Sequence, residues 1–262
     1  MSSDIHNSAI IDARAQIHEG VKIGPFCVIG PGVILRKNVQ LMSHVVISGN
    51  VDLGEGSVIY PFATLGHPPQ DLKYRGGETW LRLGANNVVR ENVTMHPGTE
   101  AGRGETLIGE NGFFMIGAHV AHDCLLGDHV IMTNLSTLGG HCEIGSFVTI
   151  GGLAGIHQFC RIGHHAFIGG MARVAGDVIP FGMAIGHDAH LFGLNIVGLR
   201  RRGFSNAVIQ ELRAAYRLLF AEEGTFSERL ADAQRLYAEK AEVMEILNFV
   251  VAGTNRALCM PK

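Results

Sequence analysis

An apolar residue recurs at every sixth position along most of this chain. The series runs through Ile11, Ile17, Ile23, Ile29, Leu35, Leu41, Ile47, Leu53, Ile59 and Leu65, resumes in phase at Leu83, Val89 and Met95, and continues after a slip of one residue from Ile108 to Val174. A period of six matches neither an α-helix, with a period of 3.6, nor an ordinary strand, with a period of 2. It is the hexapeptide repeat of a parallel β-helix, in which three repeats form one triangular coil. The sequence therefore predicts a mainly β fold in which residues 18 apart stack on successive coils.

A second, smaller apolar residue lies four positions after each large one. Four of the five cysteines, Cys27, Cys124, Cys142 and Cys160, occupy this small interior position. Free cysteine in such a place behaves as a small buried hydrophobe, so we expect neither disulfides nor zinc ligands here. Reduced cysteines are typical of cytosolic proteins.

Composition and charge exclude several classes of partner. The chain has 262 residues, a net charge of −3 and an isoelectric point near 6.5, so bulk electrostatics gives no reason to expect nucleic acid binding. Residues 1–9 lack the basic start and apolar core of a signal peptide. No apolar run approaches the roughly 20 residues of a membrane span. We therefore expect a cytoplasmic protein.

The repeat is interrupted twice and then ends. Segments near 66–82 and 98–106 break the ladder, and such insertions predict loops that carry binding chemistry. Beyond about residue 204, helical spacing of apolar residues indicates helices at 205–221, 225–239 and 241–251, with Thr225 or Ser227 as an N-cap. The prediction is a parallel β-helix over 1–197 and a C-terminal α-helical domain over 198–262.

The densest polar cluster of the repeat region is segment 119–124, which reads His-Val-Ala-His-Asp-Cys. By the stacking rule, His141 follows Asp123 and Gly140 follows His122 on the next coil. We expect one edge of three coils to gather His119, His122, Asp123, His141, His157 and Gln158. A histidine held by an adjacent carboxylate is a suitable general base near neutral pH, and Gly140 would leave space for a substrate.

The polar residues also allow interpretations other than a general base. The chain has fourteen histidines, most of which must be surface or packing residues, and only the clustering favours a functional role for His122. Some β-helices bind zinc through three histidines, but that pattern needs a histidine five residues before another, and Gly117 occupies this place before His122. We expect no metal and no cofactor. The basic run 200–202 is either a solvated helix start or a patch for an anionic partner.

Four motifs, in this order, resemble those of one enzyme family. They are the segments 70–74 (Gln-Asp-Leu-Lys-Tyr), 119–124, 157–159 (His-Gln-Phe) and 198–205 (Gly-Leu-Arg-Arg-Arg-Gly-Phe-Ser). Together they are similar to the acyl-[acyl-carrier-protein]–UDP-N-acetylglucosamine O-acyltransferases, which open lipid A biosynthesis, and the resemblance covers nearly the whole chain. It implies a left-handed coil and a homotrimer with sites between neighbouring subunits. It also implies transfer of a 3-hydroxyacyl chain from acyl carrier protein to the 3-hydroxyl of UDP-N-acetylglucosamine.

The resemblance also suggests roles for individual residues. His122 matches the general base and Asp123 the carboxylate that orients it, and the backbone N–H of Gly140 is our candidate oxyanion donor. Residues that match substrate contacts are Gln70, Asp71, Lys73, His119, His141 and Gln158, with Asn195, Arg201 and Arg202 near the nucleotide or the carrier protein. Gly170 resembles the end of the acyl groove, where the absence of a side chain predicts a long hydroxyacyl group of about fourteen carbons.

Rival functions differ in features that the sequence can address. The N-acyltransferase of the same pathway carries an extra N-terminal domain, whereas the ladder here begins at Ile11. A CoA-dependent acetyltransferase needs no long acyl groove and would leave segment 198–205 unexplained. A structural or ice-binding β-helix presents a flat face of Thr or Ser, whereas the outer face here is irregular, with His and Arg clusters and two inserted loops. A CoA- or carrier-dependent transferase acting on a related 3-amino nucleotide sugar stays open, because both sugars would fit the same contacts.

Overall fold

The computed structural model describes residues 4–253 and 256–262. Its first ten strands are β1 Asp4–Ile5, β2 Ile10–Ile11, β3 Gln16–Ile17, β4 Lys22–Ile23, β5 Val28–Ile29, β6 Val33–Leu35, β7 Gln40–Leu41, β8 Val46–Ile47, β9 Asn50–Leu53 and β10 Val58–Ile59. The next ten are β11 Thr64–Leu65, β12 Trp80–Leu83, β13 Val88–Val89, β14 Thr94–Met95, β15 Glu105–Ile108, β16 Phe113–Phe114, β17 His119–Val120, β18 Leu125–Leu126, β19 Ile131–Met132 and β20 Thr137–Leu138. The last eight are β21 Glu143–Ile144, β22 Thr149–Ile150, β23 Gly155–Ile156, β24 Arg161–Ile162, β25 Phe167–Ile168, β26 Arg173–Val174, β27 Gly182–Ile185 and β28 His190–Leu194.

Every third strand joins the same sheet, which gives three walls. Sheet A contains β1, β4 and each third strand up to β25, followed by β27 and β28; sheet B runs from β2 to β26, and sheet C from β3 to β24. The described strands pair in parallel, except β27 with β28. In sheet B, Val120 pairs with Leu138, and Leu138 with Ile156, so residues 18 apart stack as predicted.

The ladder residues fill the interior of the prism. From Ile23 to Val174 the large apolar residues are buried, and so are the small residues four positions later. Cys27, Cys124, Cys142 and Cys160 are fully buried and free, which confirms the prediction of small hydrophobic roles. Ile11 and Ile17 in the first coil are only partly buried.

Both interruptions of the ladder leave the coil at the same place. Leu53 pairs with Leu83, 30 residues later, and Leu83 pairs with Ile108, 25 residues later, instead of 18. The first insertion therefore adds twelve residues, a multiple of six, and keeps the ladder in phase, whereas the second adds seven and produces the slip of one residue. Each insertion connects sheet B to sheet C. We call this edge, formed by 66–79, 96–104, 121–124, 139–142 and 157–160, the B–C corner.

The corners impose two different demands on the backbone. A non-glycine residue such as Asp123 or His141 adopts the left-handed conformation at most turns, with φ of 59° and 61°. The glycine that follows a large ladder residue serves close approach between coils instead. At Gly54, an added Cβ would overlap the carbonyl group of Gly84.

Within the described residues, the coil is followed by an antiparallel hairpin and four helices. The helices are α1 Ile196–Arg201, α2 Asn206–Leu219, α3 Phe226–Leu236 and α4 Ala241–Ala252. Ser205 caps α2, and Thr225 forms a capping box with Glu228 at α3, which confirms Thr225 and not Ser227 as the cap. Helix α1 was not predicted as a separate element, and the division at 197/198 stays a prediction. Among the described helices, none is long and apolar enough to cross a membrane.

Candidate active site

His122 and Asp123 form a hydrogen-bonded pair at the B–C corner. The Nδ1 atom of His122 lies 2.7 Å from Oδ2 of Asp123. The His122 side chain is 14% exposed, whereas Asp123 is completely buried. The sequence placed Asp123 at an outer corner; the corner position is correct, but the second inserted loop covers the carboxylate. With Nδ1 directed at Asp123, the opposite ring nitrogen, Nε2, is left for a substrate.

The Asp123 carboxylate accepts four hydrogen bonds. Oδ1 accepts from the backbone N–H groups of Thr99 (3.0 Å) and Arg103 (2.7 Å). Oδ2 accepts from the Thr99 hydroxyl (2.7 Å) in addition to His122. Burial acts to raise the pKa of Asp123, but these donors outweigh it and lower the pKa to about 2. The carboxylate is therefore ionised at any physiological pH.

The next coil supplies His141 and Gly140 beside this pair. The His141 ring is 5.1 Å from that of His122, edge to face, and its Nε2 lies 3.7 Å from Asp123 Oδ2. Phe159 stacks on the His141 ring with the ring centres 4.5 Å apart. Burial lowers the pKa of His141, while Asp123 and the Asp71 carboxylate act in the opposite direction. A cavity of about 670 Å³ opens beside His141 and is walled in part by loop 96–104.

His119, three residues before His122 on the same coil, pairs with His96 on the preceding coil. Its Nδ1 lies 2.7 Å from the Thr94 hydroxyl, and its ring contacts that of His96 at 5.0 Å. His96 is buried, which together with the neighbouring histidines lowers its pKa to about 4. Sequence reasoning missed His96, although it directly follows the ladder residue Met95, and it also missed Thr99.

The remaining predicted residues divide among different edges of the prism. Gln158 lies at the B–C corner, where its carbonyl accepts a hydrogen bond from Arg256. The loop that carries Gln70, Asp71 and Lys73 projects from the same corner, and the backbone N–H of Lys73 donates to the Asp71 carboxylate. Gly170 lies between sheets A and B, away from the His122 corner of the same chain.

The C-terminal candidates lie at the corner between sheets C and A. Asn195 caps α1 through Gly198 N–H and donates to the His165 carbonyl at 2.9 Å. Arg202 is half-buried and donates to the Phe147 carbonyl at 2.7 Å, whereas Arg201 is exposed. One chain therefore does not bring all the predicted site residues together.

His122, Asp123 and His141 also carry groups that can bind a metal ion. Ligand atoms of His122, Asp123 and His141 lie within 4.8 Å of one another. However, the 2.7 Å between His122 Nδ1 and Asp123 Oδ2 is a hydrogen-bond distance, shorter than the spacing of two ligands about 2 Å from one tetrahedral ion. The geometry fits a general base with its orienting carboxylate, and the expected absence of metal stays a prediction.

Similarity to known proteins assigns this chain to a family. Residues 177–259 match the model described as Udp N-acetylglucosamine O-acyltransferase, Domain 2, and residues 2–37 match Bacterial transferase hexapeptide (six repeats). An acyl-[acyl-carrier-protein]–UDP-N-acetylglucosamine O-acyltransferase from Caulobacter vibrioides is 55% identical over 98% of both chains. The chain belongs to this O-acyltransferase family. A relative with the same name from Thermodesulfovibrio yellowstonii is 47% identical over 98% of this chain and 99% of its own.

Solved structures of the family share the whole fold. LpxA from Acinetobacter baumannii superposes with a TM-score of 0.93 at 40% identity, covering 97% of this chain and 99% of its own. The UDP-N-acetylglucosamine acyltransferase of Francisella novicida gives a TM-score of 0.94 at 32% identity, covering 98% and 94%. The predicted fold, a left-handed parallel β-helix with a C-terminal helical region, is thereby confirmed.

Gly140 offers a direct test of the geometry around His122. A Cβ at this position would lie 2.6 Å and 2.7 Å from Cε1 and Nε2 of the His122 ring. We expect Gly140→Ala to lower transferase activity about 100-fold, because the ring must move from its position, while the backbone conformation tolerates alanine. Steady-state rates and thermal melting would be measured together. Gly155→Ala, where an added Cβ meets nothing within 4 Å, is the control; equal activity of both variants would contradict the geometry.

Proposed function

We propose that this protein transfers a 3-hydroxyacyl chain from acyl carrier protein to the 3-hydroxyl of UDP-N-acetylglucosamine, the first step of lipid A biosynthesis, with His122 as the general base. Membership of the O-acyltransferase family supports the overall reaction. The observation that carries the assignment of the base is the 2.7 Å contact between His122 Nδ1 and the buried Asp123 carboxylate. That contact fixes the tautomer whose Nε2 lone pair accepts a proton.

The proposed reaction is a direct transfer. Nε2 of His122 removes the proton of the sugar 3-hydroxyl as its oxygen attacks the thioester carbonyl. Gly140 lies against the His122 ring, and its N–H, which has no acceptor among the described residues, would donate to the resulting oxyanion. Collapse of the tetrahedral intermediate breaks the C–S bond, and the imidazolium of His122 returns the proton to the departing thiolate. The products are the sugar ester and the free thiol of the carrier.

Substrate contacts follow from the same placement. Asp71, Lys73 and Gln70 on the first inserted loop, with His119, His141 and Gln158 on the coils, would hold the acceptor sugar around His122. Asp71 is near enough to His141 to influence its pKa, which supports a role for this loop beside the base. Asn195, Arg201 and Arg202 would serve the nucleotide phosphates or the acidic carrier protein, whose charge the basic run complements.

A homotrimer would reconcile the separation of these residues. Within one chain, Asn195 and Arg202 at the C–A corner and Gly170 at the A–B corner cannot meet His122 at the B–C corner. A neighbouring copy that presents those corners to the His122 edge would complete one site per subunit interface. Native mass spectrometry at three times the monomer mass would support this arrangement, and a monomer at working concentration would count against it. The coil, 1–197, would form the walls, and the helical domain, 198–262, would receive the carrier.

We place the reaction in the cytoplasm, where acyl carrier protein and nucleotide sugars are available. All five cysteines are buried and free, which supports a reducing compartment.

The length of the acyl chain is proposed to depend on Gly170. This residue is exposed, and an added Cβ would approach Gly152 O at 3.3 Å, so a large side chain would fill the space beyond it. We expect Gly170→Leu to shift the preferred donor from about fourteen carbons to a chain at least two carbons shorter, because each buried methylene contributes about 0.8 kcal/mol. Competition among carrier-bound 3-hydroxyacyl groups, read by mass spectrometry, measures the preference. An unchanged preference would remove Gly170 from the groove.

The acceptor atom is tested by product structure. With UDP-N-acetylglucosamine as acceptor, we expect tandem mass spectrometry and base lability to identify an ester at the 3-position. The 3-amino analogue of the sugar, supplied in parallel, should be the poorer acceptor. Preferential formation of an amide on the analogue would overturn the O-acyltransferase assignment.

A further inference from the structure

We infer that Thr99, on the second inserted loop, is a positioning residue that fixes the Asp123 carboxylate and through it the base. The inference rests on the proposed function of His122. Thr99 never reaches the reacting atoms in this reading; it acts through Asp123. Among the residues that the structure describes, three of the four donors to this carboxylate come from loop 96–104, and only one comes from His122.

The Thr99 hydroxyl has the most specific position. It donates at 2.7 Å to Oδ2, the same oxygen that accepts from His122 Nδ1 at 2.7 Å. Thr99 N–H holds the other oxygen at 3.0 Å. A residue that donates to both oxygens of a carboxylate, one from its hydroxyl and one from its backbone N–H, fixes the plane of that carboxylate. The direction of the Asp123–His122 hydrogen bond is set by this plane.

The loop is built to reach the carboxylate. Thr99 is only 2% exposed, and its carbonyl accepts from the N–H groups of Gly102 and Gly104, which closes a tight turn. That turn directs the Arg103 N–H at Oδ1. A Cβ at Gly102 would overlap the carboxylate oxygens, so the loop packs against Asp123 as closely as its backbone permits. The seven additional residues of this coil therefore cover and orient the partner of the base.

The test compares two substitutions of one hydroxyl. Thr99→Val keeps the shape and the backbone N–H but removes the donor to Oδ2, and we expect kcat to fall at least about tenfold with little change in KM for either substrate. Thr99→Ser restores the hydroxyl and should recover most of the rate. Thr106→Val is the matched control, because Thr106 is also fully buried but its hydroxyl has no hydrogen-bond partner in the part of the chain that the structure describes.

A second measurement separates positioning from a general effect on folding. If Thr99 acts only through the pair, Thr99→Val placed in a His122→Ala background should lower the residual rate by no more than about twofold, because the loss it causes has already occurred. A wild-type rate in Thr99→Val, a loss equal to that in Thr106→Val, or full additivity with His122→Ala would each overturn the inference. Failure of the proposed function looks different: His122→Ala itself would then keep its activity.

Discussion

His122→Ala is expected to lower kcat for acyl transfer by at least about a thousandfold, since positioned general bases contribute roughly that much. The loss should appear in kcat rather than KM, because the ring is proposed to remove a proton in the transition state. Without the His122 ring, Asp123 keeps its three hydrogen-bond donors in loop 96–104, so the variant should keep its melting temperature within a few degrees. Steady-state kinetics with saturating acyl carrier protein and thermal melting measure both quantities.

The matched control for this loss is His6→Ala. His6 is an exposed histidine at the N-terminal end of the coil, and its ring bonds to Ser8. Its variant should transfer acyl groups at the wild-type rate. If His122→Ala retained wild-type kcat, the family assignment would stand but another group would have to act as the base.

Asp123→Asn is expected to lower kcat by roughly a thousandfold. Oδ2 of Asp123 accepts from both His122 Nδ1 and the Thr99 hydroxyl, and an amide nitrogen in its place would face two donors. If the amide turned to present its oxygen to His122, the nitrogen would instead face the N–H groups of Thr99 and Arg103. In the first orientation the ring loses the acceptor that fixes its tautomer. In the second orientation it keeps an acceptor but loses the negative charge that stabilises the imidazolium, and two buried N–H donors are left unpaired. Kinetic measurement beside Asp12→Asn, a surface substitution near the N-terminus, gives the comparison.

We also expect Asp123→Asn to lower the free energy of unfolding by an amount that depends on pH. Hydrogen bonds lower the pKa of Asp123 from 3.8 to about 2, so the folded state favours the carboxylate and gains about 2 kcal/mol above pH 4. That contribution is lost as the pH falls from about 4 toward 2, because the carboxylate is then protonated in both states. Denaturation of wild type and Asp123→Asn should therefore differ most at neutral pH and converge on acidification. A difference that stays constant with pH would contradict the lowered pKa.

The repeat made most of the fold and the core of the site predictable. A strict period of six fixes which residues point inward, and the spacing of 18 then places His141 beside Asp123 and Gly140 beside His122 without further information. The phase of the ladder even records the insertions, since twelve added residues preserve it and seven shift it.

What could not be predicted lies in those insertions. Loop 96–104 has no periodicity, so nothing in the sequence shows that Thr99 turns back onto Asp123 or that His96 is buried against His119. The sequence also could not show that Asn195 and Arg202 lie apart from His122. Spacing along the chain does not indicate which corner of the prism the β27–β28 hairpin and helix α1 pack against. The start of α3 was easier to predict from the sequence, because Thr225 and Glu228 form a local capping box.

The most direct test of the central claim is one transfer experiment. Purified protein would be mixed with radiolabelled UDP-N-acetylglucosamine and carrier proteins loaded with 3-hydroxyacyl groups of several lengths, with His122→Ala alongside. We expect a labelled 3-O-acyl product from the wild type, a preference for one chain length, and almost no product from the variant. The absence of transfer from every carrier-bound acyl group, or equal transfer by His122→Ala, would contradict acyl transfer with His122 as the general base.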